Sequence, residues 1–293
     1  LENNSTMTAP STSPAAAAGT LTIGGDLTVN RMGFGAMRIV GKGIWGWPAD
    51  REAAKNVLRH AVANGVNFID TADSYGPDVS EELIAEALAP YPAGLVIATK
   101  GGLTRSGPDE WDANGRPEHL RAALEGSLKK LRVDCIDLYQ FHRPDPRVRY
   151  AESIGALAEL QRAGKIRHIG VSNVTVAQLT QARAIVPVVS VQNRYNFEDR
   201  SSERVLDACT QDGLAFLPWA PVGGASPLRE KTIARLARGH NATGLQIALA
   251  WLLKRSPVML PIPGTASIAH LDQNIAAAAI HLSDEEFREL DKG

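Results

Sequence analysis

Eight short apolar runs, each followed by a stretch of helical periodicity, pass through this chain in strict alternation. The runs are Met32–Met37, Val66–Ile69, Leu95–Thr99, Ile136–Phe141, Ile166–Val171, Val188–Val191, Leu214–Leu217 and Val258–Ile262. They are apolar on both faces, as buried parallel strands require. Helix start signals fall between them: Asp50 ahead of an apolar stripe that includes Val57 and Leu58, Asp78 or Ser80 ahead of Val79–Ala89, and Pro117 opening a helix to about Leu131. Further helices are read near Glu152–Ala163, Val176–Ile185, Ser202–Asp212, Ile233–Arg238 and Gly244–Lys254. No Pro-, Gly- or Ser-rich linker divides the series. The pattern predicts an α/β fold: a single (β/α)8 TIM barrel over residues 20–293 with an N-terminal β-hairpin around Gly24-Gly25. An open doubly wound sheet is the alternative.

Composition removes several function classes. Lys plus Arg total 31 against 32 Asp plus Glu, so no general basic field exists for nucleic acid. The longest strongly apolar run, Leu245–Leu253, contains Gln246 and is too short to span a bilayer. Cys135 and Cys209 support neither a disulfide framework nor a four-cysteine zinc site, and they read as core thiols. The seven histidines include no HExxH pair, so no metal is expected. Residues 1–19 are rich in Ser, Thr, Ala and Pro and read as a disordered leader, with Met7 marking Leu1–Thr6 as an expression scar. They lack the basic start and long apolar stretch of a secretory signal, so a cytoplasmic protein is expected. Oligomeric state is left open.

Polar residues cluster at the strand exits. Asp70, Lys100, His142, Ser172, Asn173 and Gln192 each follow the apolar part of a strand, and in a parallel barrel these exits converge on one rim. Several belong to longer signatures. Asp70-Thr71-Ala72-Asp73-Ser74-Tyr75-Gly76 resembles the D-T-A-x-x-Y-G signature of the aldo-keto reductase superfamily. Val96–Lys100, Asp137–His142, Gly170–Asn173, Val191–Asn193 and Ile262–Thr265 continue that resemblance in order. Gly43–Gly46 and Val79–Leu83 are similar to the bacterial pyridoxal-reductase-like branch.

The resemblance implies reduction of a small-molecule aldehyde or ketone by NADPH, with NADH the less favoured cofactor. It assigns catalysis to Asp70, Tyr75, Lys100 and His142. Carbonyl reduction delivers a hydride to carbon and a proton to an oxygen that becomes alkoxide-like. A tyrosine with a pKa of about 10 serves as the acid if a neighbouring ammonium lowers that value, and Lys100 is expected to do so for Tyr75. Asp70 is expected to hold Lys100 charged, and His142 to orient the carbonyl. For the cofactor, Ser172, Asn173 and Gln192 resemble a clamp on the nicotinamide carboxamide, and Trp219 stands where the family often stacks a tyrosine.

Pro221, Val222, Gly223, Leu228 and Arg229 fall where a loop could wrap the pyrophosphate. Gly35 and Met37 after the first strand, and Ile262, Gly264, Thr265, His270, Gln273 and Asn274 after the eighth, complete the expected contacts. Many relatives carry Lys and Arg where this chain has Gly264 and His270. Phosphate binding therefore falls to backbone amides and to the hydroxyls of Thr265 and Ser267, and a lysine at 264 is expected to tighten NADPH. Gly33-Phe34-Gly35 lacks the third glycine of a dinucleotide fingerprint. Trp45 and Trp47 are candidates to line a pocket for pyridoxal or another flat carbonyl. Two other classes stand beside the reductase: a nicotinamide-binding sensor or regulatory subunit, and a Schiff-base lyase using Lys100.

Overall fold

The computed structural model describes residues 13–221 and 227–291. A hairpin, β1 (Thr20–Ile23) and β2 (Leu27–Asn30), precedes the barrel staves β3 (Phe34–Gly35), β4 (Phe68–Asp70) and β5 (Val96–Gly101). A small antiparallel pair, β6 (Leu103–Thr104) and β7 (Asp112–Ala113), then crosses the rim. The staves continue as β8 (Ile136–Phe141), β9 (Ile166–Ser172), β10 (Val188–Arg194) and β11 (Ala215–Trp219). Helices α1 (Arg51–Ala63), α2 (Val79–Leu88), α3 (Pro117–Leu131), α4 (Tyr150–Arg162), α5 (Val176–Arg183) and α6 (Glu203–Asp212) alternate with them. Four more follow: α7 (Pro227–Gly239), α8 (Gly244–Arg255), α9 (Ile268–Ala276) and α10 (Asp284–Asp291). Among the described residues no helix is long and apolar enough to cross a membrane.

The staves pair in parallel in the order β3-β4-β5-β8-β9-β10-β11. The eighth, expected at Val258–Ile262, is a single bridge between Met259 and Phe216. Phe216 N donates to Val258 O (2.9 Å) and Leu260 N to Phe216 O (2.9 Å), while Gly33 N donates to Pro261 O (2.9 Å) and closes the ring. Pro261 and Pro263 have no N–H to offer, which keeps this stave from forming a regular ladder. The first stave is also shorter than Met32–Met37, because Ala36–Ile39 turns into a 3-10 helix.

Alternation of side chains along the staves explains how the rim is furnished. The barrel interior holds Phe68, Val96, Ala98, Leu138, Ala215, Leu217, Leu260 and Ile262, plugged at the other end by Ile23, Leu27 and Val29 of the hairpin. Two residues beyond the inner apolar layer come Asp70 after Phe68, Lys100 after Ala98, and Trp219 after Leu217. The same period carries Leu138 through Gln140 to His142. Intervening residues such as Ile69, Ile97 and Phe141 belong to the outer core beneath the helices.

Three local findings differ from expectation. Pro14–Ala18 forms a 3-10 turn with Ala15 buried and its N–H on Asn64 O (3.1 Å), so this part of the expected disordered leader is ordered. Small alanines let that segment lie close against the barrel; residues 1–12 lie outside the described residues. Cys135 is exposed in the turn before β8, whereas Cys209 is buried in α6. Gly264 has no room for a side chain: a Cβ there would sit 2.4 Å from Gly35 O, and one on Gly35 would sit 2.6 Å from Ile262 O. The two glycines let the first and eighth staves meet, so a lysine at 264 disrupts the closure instead of greeting a phosphate. Gly264→Ala is expected to cost about 1–3 kcal/mol. A denaturation midpoint equal to wild type would contradict the close approach.

Candidate active site

Asp70 ends β4, Lys100 lies one residue from the end of β5, and His142 follows β8. Tyr75 reaches the same rim through a compact turn after β4. Thr71 N donates to Ala98 O (2.8 Å), Asp73 N to Lys100 O (3.2 Å) and Tyr75 N to Ala72 O (3.2 Å), fastening that turn onto β5. Gly76 (φ +106°) then bends the chain into α2, where a Cβ would press on Val79.

Asp70 and Tyr75 meet at the Lys100 ammonium, and His142 stands against the ring of Tyr75. Lys100 Nζ donates to Asp70 Oδ2 (2.6 Å), to Thr71 O (2.8 Å) and to Tyr75 Oη (3.3 Å), which occupies all three of its N–H groups. It is fully buried, and Asp70 is 2% exposed. Gln140 Nε2 (2.9 Å) and Gln192 Nε2 (2.8 Å) both donate to Asp70 Oδ1, so the carboxylate is satisfied on both oxygens. Burial alone would pull the Lys100 ammonium down, but Asp70 and Tyr75 more than reverse this and hold it above its ordinary value. A charged lysine with every donor engaged is not a Schiff-base nucleophile.

Tyr75 departs from expectation. Burial is the largest influence on its hydroxyl and pushes it up; Lys100 pulls it back, Asp70 opposes Lys100, and the net direction is upward. The phenol is therefore held protonated in the chain by itself. His142 moves the other way: burial first, then Lys100 and Arg143, bring it well below the ordinary histidine range, so its imidazole is neutral. Its ring stands edge-on to that of Tyr75 (centroids 5.9 Å), and Ser74 Oγ lies 3.5 Å from Nδ1.

Two cavities open on Tyr75. The larger, about 550 Å³, runs from Tyr75 and Trp219 past Gly35, Met37, Pro221, Ile262, Gly264 and Thr265 to His270, Gln273 and Asn274. It brings together most of the expected cofactor residues and adds Arg38, whose side chain makes no ion pair among the described residues. Val222 and Gly223 lie outside the described residues, and Leu228 and Arg229 fall in the first turn of α7. The smaller cleft, about 210 Å³, is walled by Tyr75, Leu103, Trp111, His142, Arg143, Ser172, Asn173, Gln192 and Trp219.

The expected carboxamide clamp is largely engaged within the protein. Ser172 Oγ donates to Gln192 O (2.7 Å) and accepts from Asn173 Nδ2 (3.0 Å). The same Asn173 amide donates to His142 O (3.0 Å), while its Oδ1 accepts from Trp219 Nε1 (3.1 Å) and fixes the indole. Gln192 spends its amide N–H groups on Asp70 and Gln140, so it braces the ion pair.

Trp45 and Trp47 line neither cavity. Arg51 covers Trp47 at 3.7 Å from the ring centroid and holds it against α1, and Trp45 is drawn toward Arg105. The aromatic wall is Trp111 instead, edge-on to Tyr75 (6.3 Å) and stacked under Arg105 (3.6 Å). Arg105 donates five hydrogen bonds, all to carbonyls: Glu110, Ile44, Ser74, Gly43 and Gly107, at 2.7–3.2 Å. One guanidinium thus ties together the loop of Trp45, the turn of Tyr75 and the hairpin of Trp111. Arg105→Met is expected to lower kcat/KM for carbonyl reduction by roughly tenfold to a hundredfold through misplacement of Trp111 and Tyr75. NADPH affinity, titrated by fluorescence, should fall far less than kcat/KM, since of the residues these loops carry only Tyr75 lines the larger cavity; a parallel loss of cofactor binding would contradict this.

Known proteins resemble this chain along most of its length. The model of the Aldo/keto reductase family matches residues 31–293. An uncharacterised oxidoreductase of Schizosaccharomyces pombe is 49% identical over 279 residues, covering 95% of this chain and 90% of its own. Pyridoxine 4-dehydrogenase of Escherichia coli is 44% identical over 274 residues, covering 91% and 96%. Among solved structures, an aldo-keto reductase from Klebsiella pneumoniae in complex with NADPH superposes with a TM-score of 0.77 at 28% identity, covering 93% of this chain and 94% of that one. These matches run along nearly the whole sequence: the chain belongs to the aldo/keto reductase family of oxidoreductases.

Proposed function

We propose that this protein is an NADPH-dependent reductase of aldehydes and ketones, with flat aromatic carbonyls such as pyridoxal among its substrates and Tyr75 as its proton donor. The observation that carries the proposal is the position of Tyr75: its side chain lines both cavities while Lys100 Nζ stands 3.3 Å behind its hydroxyl.

The larger cavity fits a dinucleotide. Asn274 is buried, and among the described residues its Oδ1 has no partner, an orphan acceptor suited to an amine or amide of a ligand. Thr265 Oγ1 accepts from Ser267 N (3.1 Å) and Ser267 Oγ accepts from His270 N (3.4 Å), which leaves each hydroxyl its own O–H for a phosphate. Arg38 contributes the formal positive charge among the lining residues. The Klebsiella pneumoniae structure with NADPH bound supports NADPH as the cofactor. A bound reduced nicotinamide supplies the hydride.

The chain's own groups manage the proton. Tyr75, held protonated by burial, gives its phenolic proton to the carbonyl oxygen as negative charge develops there. The Lys100 ammonium stabilises the phenolate left behind, and Asp70 with its two glutamine amides keeps that ammonium in place. Neutral His142 donates to the same oxygen from Nε2 when Ser74 Oγ donates to Nδ1, which orients the carbonyl. Trp111 offers an aromatic face to a flat substrate, and the pyridoxine 4-dehydrogenase of Escherichia coli supports pyridoxal as the first to try.

Turnover of pyridoxal and benzaldehyde with NADPH and with NADH tests the reading: consumption of NADPH with formation of alcohol supports it, and tight cofactor binding without turnover would overturn it in favour of a sensor. Cofactor choice has its own test at His270, which lines the cavity and is exposed. His270→Arg adds a charge without the backbone clash of position 264. It is expected to tighten NADPH binding about tenfold and to leave NADH nearly unchanged. An equal gain for both cofactors would show that residue 270 does not face the 2′-phosphate.

A further inference from the structure

Among the described residues that line the smaller cleft there is a single formal charge. Arg143 lines it directly beside His142, and every other lining residue is apolar or a neutral polar group, His142 included. Among the described residues the Arg143 guanidinium has no ion pair and no hydrogen bond. The carboxylate nearest in sequence is already taken: Asp145 accepts from Arg147 Nε (2.9 Å) and from Gly115 N (3.1 Å). An exposed cation on a cleft whose described lining carries no anion presents a positive field, weakened by solvent and salt, to whatever enters. A carbonyl held between Tyr75 and His142 leaves the rest of its molecule to pass along Trp111 and Arg143.

We infer that the cleft selects carbonyl compounds that carry an oxyanion, a carboxylate or a phosphate, and that Arg143 is the residue that reads it. The inference rests on the reductase reading and specifies its substrate class. A planar guanidinium meets either oxyanion with two parallel hydrogen bonds, so Arg143 is a specificity-determining residue, distinct from the acid and its supports.

The test compares pairs that differ in charge. The carboxylate arm sets 4-carboxybenzaldehyde against benzaldehyde; the phosphate arm sets pyridoxal 5′-phosphate against pyridoxal. Each kcat/KM is measured at low and raised ionic strength, for wild type and Arg143→Gln. The anionic member of at least one pair is expected to be favoured about tenfold or more, with the advantage shrinking in salt. Arg143→Gln should lower kcat/KM for that anionic member at least about tenfold more than for its neutral partner. The arm that responds tells carboxylate from phosphate. Turnover of the neutral aldehydes with no anionic preference in either arm, or a preference that survives in Arg143→Gln, overturns the inference and leaves the reductase reading standing. If no carbonyl is reduced, that reading falls, and binding of 4-(hydroxymethyl)benzoate against benzyl alcohol, followed by tryptophan fluorescence, decides Arg143. Tighter binding of the benzoate that is lost in the variant supports the inference, and equal binding overturns it.

Discussion

Tyr75→Phe is expected to lower kcat/KM for carbonyl reduction by about 10²–10⁴-fold, the range that a positioned general acid supplies. The phenyl ring fills the same volume and keeps its edge-on contacts with Trp111 and His142, so fold and NADPH affinity should persist. Only the hydroxyl beside Lys100 is removed. The loss should therefore appear in kcat and kcat/KM together, as for an interaction made in the transition state. Stopped-flow reduction of benzaldehyde, with cofactor binding measured in parallel, checks both halves. Near-normal turnover would pass the proton to another group.

Lys100→Met has a second large effect, on stability as well as chemistry. Asp70 would remain buried with two amide donors but no countercharge. Removing one partner of a buried pair costs about 3–5 kcal/mol, because the remaining charge is left uncompensated. Chemical denaturation of Lys100→Met should show a loss of that size. The double variant Asp70→Asn with Lys100→Met should regain much of the stability, since the charge is gone, yet remain as inactive as the single variant. A single variant as stable as wild type would mean that the glutamine amides suffice to hold Asp70.

The sequence carried the rim well and its surroundings poorly, for physical reasons visible in individual residues. Asp70, Lys100 and His142 were legible because period-two alternation continues the inner apolar layer to the strand exits. Gln140 obeys the same period and could have been found by it, one step before His142. Trp111 and Arg105 sit in loops, and Arg38 in a short 3-10 turn, where spacing says nothing about direction. For Trp45 and Trp47 the missing information was the partner: Arg51 and Arg105 decide which way each indole is drawn. The charge next to Tyr75 was legible, but its burial was not, and burial reverses the direction of its shift. Gly264 shows the limit most clearly. Its position in the chain pointed to phosphate selection, whereas the backbone oxygen 2.4 Å from its absent Cβ makes it part of the barrel's closure.

The central claim, that a hydride enters from the larger cavity while Tyr75 delivers a proton in the smaller cleft, is tested most directly by tracing the hydride. The protein is incubated with benzaldehyde or pyridoxal and NADPH carrying deuterium at the reactive carbon of the nicotinamide, and the alcohol is analysed by mass spectrometry and NMR. The account predicts one deuterium on the former carbonyl carbon for each NADPH consumed, with the rate collapsing in Tyr75→Phe. NADPH that binds but leaves no deuterium in the alcohol, or labelled alcohol formed equally fast by Tyr75→Phe, would contradict it.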